Sequence, residues 1–204
     1  NVLNKIKTKN FIFASTGAAA LCESAYGISK RAAEDVVKEY CTVHNLTPYS
    51  IFRFYNVIGS SGYAPTNPDG LMYNLMKSEQ TKEFTIFGND YDTPDGTCIR
   101  DYVHVQDLAD AHIAAMKFVE ESDPGFTAIN IGTGSGTSVY EVLEMIQDVT
   151  GISIEPIVGQ RREGDPPALV ADVSLAKELL GWQSSRDLRK TVSSAWDAWQ
   201  LGHK

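Results

Sequence analysis

Tyr26 and Lys30 stand four residues apart, a spacing that projects both side chains from one face of a helix. An ammonium beside a phenol favours the phenolate, so such a pair can serve as a general base near neutral pH. The spacing alone is not selective, because Tyr73 and Lys77 repeat it. What distinguishes Tyr26 is the segment before it: the apolar run Phe11-Ile12-Phe13-Ala14 ends in the hydroxyls Ser15-Thr16. That run predicts a buried strand, and its C-terminal edge would gather hydroxyl, phenol and ammonium where open α/β sheets bind ligands. Tyr73 lacks such neighbours and is expected to pack on its helix.

A cationic group follows. Arg100, Arg161 and Arg162 fall in or beside loops, with Gly164-Asp165 just downstream. Guanidinium forks suit bidentate recognition of phosphate, yet Arg161-Arg162-Glu163 fits a solvated turn as well, and composition alone favours the turn. Gly132-Thr133-Gly134-Ser135-Gly136 lies between a strand-like and a helix-like segment and invites a dinucleotide-fingerprint reading. Its third Gly comes one position early, with Thr137 in the required place, so a tight strand-to-helix turn is the simpler account. No Gly is followed by Lys, and neither Gly-x-Ser-x-Gly nor Cys-x-x-Cys occurs, which removes the P-loop, the nucleophile elbow and the dithiol motif. The four histidines never pair at metal-ligand spacing, so no metal site is expected, and His112 reads as a core residue.

The elements that must position these groups alternate between strand and helix. Strands are predicted at Phe11–Ala14, Tyr49–Val57, Phe84–Phe87, Ile99–Val105, Ala128–Ile131 and Ser153–Val158. Helices are predicted at Ser24–His44, Leu71–Ser78, Gln106–Glu120, Val139–Thr150, Ser174–Leu180 and Asp187–Leu201. On the first helix Ile28, Ala32, Val36 and Tyr40 form the apolar stripe and Lys30, Glu34 and Lys38 take another face; on the third, Leu108, Ala109, His112, Ile113 and Met116 share a stripe. This order argues for an α/β fold with parallel pairing. The loop Gly59 to Gly70, rich in Gly, Ser and Pro, is the candidate domain boundary.

The chain has 204 residues, 43% apolar, with 18 Lys plus Arg against 26 Asp plus Glu for a net charge of −8. Neither a nucleic-acid footprint nor a polybasic membrane face is expected from that balance. No apolar run approaches the length of a bilayer span, and Asn1 to Lys7 lacks the apolar region of a signal peptide. Cys22, Cys41 and Cys98 form no close pair and read as thiols of a reducing, cytoplasmic compartment.

Taken in order, these residues resemble the extended short-chain dehydrogenase/reductase superfamily, and within it the UDP-glucose 4-epimerase family. The most specific stretch runs from Phe87-Gly88-Asn89-Asp90-Tyr91 through Asp95-Gly96-Thr97 to Arg100-Asp101-Tyr102-Val103-His104-Val105. Arg53-Phe54-Tyr55-Asn56, Asn74-Leu75-Met76 and Arg161-Arg162-Glu163-Gly164-Asp165 stand in the family's order. The resemblance implies a Rossmann-like parallel sheet, partly present, followed by a smaller α/β substrate domain. Residues 1–58 would be the C-terminal part of the dinucleotide-binding domain, with 103–132 returning to it, and residues 59–204 would bind the nucleotide-sugar.

It also implies roles. Tyr26 would be the acid/base, Lys30 would hold the nicotinamide ribose of NAD, Thr16 would stand where the family keeps a Ser or Thr, and Tyr55 would border the nicotinamide. Asn56, Asn74, Phe87, Arg100, Arg162 and Asp165 would hold the UDP-sugar, which shifts the reading of the arginines toward function. Leu169, four residues after Asp165, would wall the pocket beside the sugar's 2-substituent, or simply pack beneath the strand that follows. The activity implied is interconversion of UDP-glucose and UDP-galactose through a transient 4-keto sugar, in a homodimer. A 4,6-dehydratase or decarboxylase is an alternative, but dehydratases usually follow the Thr with an acidic pair, where Gly17-Ala18 stand here. The second alternative is a non-catalytic nucleotide-sugar-binding remnant. Two departures are expected to matter: the family's phosphate-binding Gly-rich turn precedes anything in this chain, which would open inside a later helix, and only nine residues separate Thr16 from Tyr26.

Overall fold

Apolar residues alternating along three short segments build the sheet on which the rest of the chain is arranged. A computed structural model describes residues 11–44, 49–67, 70–121 and 126–202; the helix expected at the start of the chain lies outside them. In chain order the elements are β1 (Phe11–Thr16), α1 (Ala18–Leu21), α2 (Ala25–Val43), β2 (Tyr49–Phe54), β3 (Asn56–Ile58), α3 (Leu71–Thr81), β4 (Glu83–Phe87), β5 (Ile99–Arg100) and β6 (Tyr102–His104). Then follow α4 (Val105–Glu121), β7 (Phe126–Ile131), β8 (Thr137–Ser138), α5 (Val139–Thr150), β9 (Glu155–Gly159), β10 (Ala168–Leu169), α6 (Ser174–Leu180) and α7 (Leu188–Gly202).

β1, β2 and β7 pair in parallel in that order, with Thr16, Phe54 and Ile131 in one row at their C-terminal ends. The period of two sends Phe11 and Phe13 toward Val37 and Cys41 of α2 and Ile12 toward the core of Phe52, Ile129, Ile131, Ala111 and Ala115 on the opposite face. A separate core gathers Met72, Leu75 and Met76 of α3, Phe84 and Ile86 of β4, Val142, Leu143 and Ile146 of α5, and Val192 and Trp199 of α7. Small sheets surround it: β3 with β6, β4 with β9, and β5 between β8 and β10. A capping box, in which Ser138 accepts from the Glu141 N–H and Glu141 accepts from that of Ser138, starts α5 and so fixes its entry angle from β8.

The alternating α/β order is as expected from the sequence, but two long strands are each broken. The strand expected over 49–57 breaks at Tyr55, and the one expected over 99–105 breaks at Asp101. At that point the Asn56 N–H donates to the Asp101 carbonyl (2.9 Å), so the chain leaves one sheet and enters another. Two helices also face differently from the pattern. α2 turns Gly27, Glu34, Val37 and Cys41 inward and leaves Ile28 and Val36 exposed. α4 buries Ala111, Ala115 and Val119 while Ile113 and Met116 face outward. His112 does pack as a core residue: its Nδ1–H donates to the Leu108 carbonyl (2.8 Å) and its ring lies against Phe52 and Phe54. Tyr73 packs not along its own helix but edge-on against Trp199 of α7.

Candidate active site at the sheet edge

The segment from Thr16 to Tyr26 is closed by a single helical turn. α1 ends at Cys22, whose backbone is left-handed (φ 55°) and whose N–H donates to the Ala18 carbonyl. α2 then starts at Ser24, whose hydroxyl accepts from the Gly27 N–H (3.0 Å). A Cβ at Gly27 would lie 2.5 Å from the Ala18 carbonyl oxygen, so only glycine lets the two helices touch this closely. The short spacing is therefore accommodated, and Tyr26 emerges at the C-terminal edge of β1.

Lys30 reaches back over the strand. Its ammonium donates to the Ala14 carbonyl (2.9 Å) and sits 5.0 Å from the centre of the Phe13 ring. The Thr16 hydroxyl accepts from the Ala18 N–H (3.4 Å). Tyr55 follows β2 as Gly17 follows β1, and its ring lies so close that a Cβ at Gly17 would meet it at 2.6 Å. Burial, and then the Asp101 carboxylate, push the Tyr55 phenol above its ordinary value. Tyr26, by contrast, is 59% exposed and faces a cavity.

Two cavities meet here. The smaller, about 240 Å³, is bordered by Tyr26, Ala18, Leu21, Glu23, Asp165 and Leu169. The larger, about 570 Å³, is bordered by Asn56, Asn74, Phe87, Cys98, Arg100 and Tyr102. Arg162 and Asp165 border both. Every residue expected to hold a nucleotide-sugar thus lies on one cavity or both, whereas Thr16, Lys30 and Tyr55 border neither: Thr16 ends β1, Tyr55 follows β2 and Lys30 reaches back to Ala14. Cys98 and Tyr102 are lining residues that pattern reasoning missed: Cys98 precedes a two-residue strand and Tyr102 opens a three-residue strand that is buried throughout, so neither segment shows a period.

The arginines divide by partner. Arg100 is buried and its guanidinium donates to Asp165 (2.7 Å) and to the Ile99 carbonyl (2.7 Å). Arg161 is bound to Asp90 (2.6 Å) and lies over the Tyr91 ring, which fits the turn reading and holds the Asp90 carboxyl below its ordinary value. Arg162 stacks on the exposed Phe87 ring at 4.1 Å, and among the described residues no carboxylate lies within ion-pair distance of it. Its fork is left for an anion at the junction of the cavities.

The Gly-rich turn is occupied from within. The carboxylate of the fully buried Asp101 accepts from the Thr133 N–H and hydroxyl (2.7 Å each), the Gly134 N–H (2.9 Å) and the Ala171 N–H (3.2 Å). Donors that a phosphate would need are spent on a side chain of the chain itself, so this is a structural turn. Among the described residues no cluster could hold a metal ion, and no helix is long and apolar enough to cross a membrane.

The model of the NAD dependent epimerase/dehydratase family matches residues 1–132. The chain is 41% identical over 163 residues to the UDP-glucose 4-epimerase of Lactobacillus helveticus, covering 76% of this chain and 49% of that protein. It is 37% identical over 187 residues to the human UDP-glucose 4-epimerase, covering 88% of this chain and 53% of that one. Among solved structures, the UDP-glucose 4-epimerase of Bifidobacterium longum in complex with NAD+ and UDP superposes with a TM-score of 0.88 at 30% identity, over 99% of this chain and 66% of that one. The chain spans about half the length of the curated relatives it matches.

Proposed function

Because the chain belongs to the NAD dependent epimerase/dehydratase family, we propose that its two joined cavities are the substrate side of a UDP-sugar 4-epimerase that interconverts UDP-glucose and UDP-galactose. The observation that carries this reading is the convergence of Tyr26 and of Arg162, which has no ion-pair partner among the described residues, on one cavity system at the end of a parallel sheet. Likeness to relatives named for that activity supports it. We read residues 1–58 with 103–132 as the C-terminal part of a dinucleotide-binding domain, since β7 lies beside β2, and 59–204 as the nucleotide-sugar domain.

The donor set at the ends of β1 and β2 fits the nicotinamide-ribose end of NAD. Lys30 spends one of its three protons on Ala14, and the Thr16 hydroxyl and the Tyr55 ring stand at the ends of neighbouring strands. NAD bound there would supply the acceptor and donor for a hydride at the sugar's C4. Tyr26 accepts the proton of the 4-hydroxyl and later returns it to the 4-oxygen, once the hydride has come back to the opposite face of C4. Arg100 and Arg162 neutralise the diphosphate, and Phe87 and Asn74 flank the uridine. Held only by its diphosphate, the 4-keto sugar can turn within the smaller cavity.

The exposed Ile28, Val36 and Val43 of α2 support a homodimer formed across that helix, and the three free thiols support a cytoplasmic protein. Leu169 borders the same cavity as Tyr26, which favours its role as the wall beside the 2-substituent. Pressing an acetyl group on a branched wall costs about 1–3 kcal/mol. UDP-galactose should therefore surpass UDP-N-acetylgalactosamine in kcat/KM by roughly ten- to a hundredfold, and Leu169→Ser should narrow that ratio.

UDP binding measured by calorimetry tests the diphosphate assignment. Arg162→Ala should weaken it by about 10- to 150-fold, the worth of a charge-assisted hydrogen bond of about 1.5–3 kcal/mol. Arg161→Ala should change it less than threefold, because that side chain is committed to Asp90. Equal, small losses would return both residues to the solvated surface.

A further inference from the structure

The only carboxylate buried between α2 and the sheet is Glu34 among the described residues, and it is 2% exposed. Its Oε1 accepts from the Ser15 hydroxyl (2.5 Å) and from Arg53 Nε (3.0 Å), and its Oε2 accepts from Arg53 Nη2 (2.6 Å). Burial opposes its charge, but the hydrogen bonds from Arg53 and Ser15 outweigh that and hold the carboxyl below its ordinary value. One side chain on α2 is thereby tied to β1 and to β2 at once.

The three tied segments carry the proposed reaction groups. Ser15 immediately precedes Thr16, Arg53 lies two residues before Tyr55, which follows directly on β2, and Glu34 stands one helical turn beyond Lys30. The apolar anchors of α2, Val37 and Cys41, lie farther along the helix. Nearer Tyr26 the helix turns Gly27 to its inner side and leaves Ile28 outside. Its first turns are therefore held to the sheet by the Lys30 contact and this network rather than by apolar packing. Apolar side chains of similar volume commonly replace a buried ion pair without loss of stability, so stability alone does not call for charge here. A fixed register between helix and strands does.

We propose that Glu34 is a positioning residue for the reaction: through Ser15 and Arg53 it sets the distance between the Tyr26/Lys30 face of α2 and the strand ends bearing Thr16 and Tyr55. The proposal rests on the epimerase reading. It assigns Glu34 no contact with substrate, and it separates the network from the UDP cavity, whose residues it does not touch.

Glu34→Asp in the full-length protein tests this, because it keeps the charge and shortens the reach by one methylene. Displacements near 1 Å cost about 10²-fold in rate. The variant should lose about 10- to 100-fold in kcat, with the KM for UDP-galactose and the calorimetric Kd for UDP within about twofold, and with NAD affinity weakened about tenfold. Ser15→Ala removes a single tie and should lose about 2- to 10-fold in kcat, which keeps the question answerable if Glu34→Asp folds poorly. A lowered melting temperature with kcat and NAD affinity unchanged in both variants would reduce Glu34 to a structural ion pair and overturn the proposal. Absence of both UDP binding and epimerisation in the unaltered protein would instead sink the functional reading, and this proposal with it.

Discussion

Tyr26→Phe should abolish nearly all turnover while leaving UDP affinity within about threefold. Loss of a positioned general base typically costs about 10²–10⁴ in rate. Among the described residues that border the smaller cavity, Tyr26 is the phenol with a lysine four residues on along its helix. Tyr55 is the poorer base, because burial and the nearby Asp101 carboxylate push that phenol above its ordinary value. The UDP-holding residues line the larger cavity and Tyr26 does not, so binding and chemistry should separate in this variant. Steady-state kinetics with calorimetry checks both. Retention of a third or more of the wild-type kcat would contradict the assignment.

Asp101→Ala should be the most damaging single change to the fold away from the apolar cores. It strips the acceptor from the Thr133, Gly134 and Ala171 N–H groups at once. A fully buried donor left unsatisfied costs about 1–3 kcal/mol; only the Ala171 N–H is fully buried, and the Thr133 and Gly134 donors are partly open to water, so a loss of about 3–5 kcal/mol is expected. For a chain of this length that lowers the melting temperature by roughly 6–20 °C. Because the Asp101 N–H also bonds the Leu169 carbonyl (3.2 Å), the wall of the smaller cavity should loosen along with the turn. Thermal unfolding gives the answer directly, and a loss under about 1 kcal/mol would show that water or a neighbour replaces the carboxylate.

The parts of the site that were legible in the sequence are those written in local chemistry. Thr16, Tyr26 and Lys30 could be placed at a strand edge because an apolar run ends there and a helical period begins. The Gly-rich turn could be discounted from the spacing of its glycines, and Asp101 shows why that was right. Telling Arg162 from Arg161 was beyond pattern reasoning, since the two differ only in where Asp90 and Phe87 fall after folding. Glu34 was hidden for the same reason. A charged residue on a helix reads as solvent-facing until a strand 19 residues away supplies its arginine. The inward faces of α2 and α4 were misread because each helix carries more apolar surface than the sheet beneath it can cover.

The central claim is that the sugar is oxidised and reduced at C4 within one closed site. UDP-glucose carrying deuterium at C4, incubated with the full-length protein and NAD and followed by NMR, tests it most directly. The account predicts UDP-galactose that keeps the deuterium at C4, with no exchange into water and no accumulation of NADH. Failure to form UDP-galactose, or formation of product whose C4 deuterium has been replaced by solvent hydrogen, would contradict it.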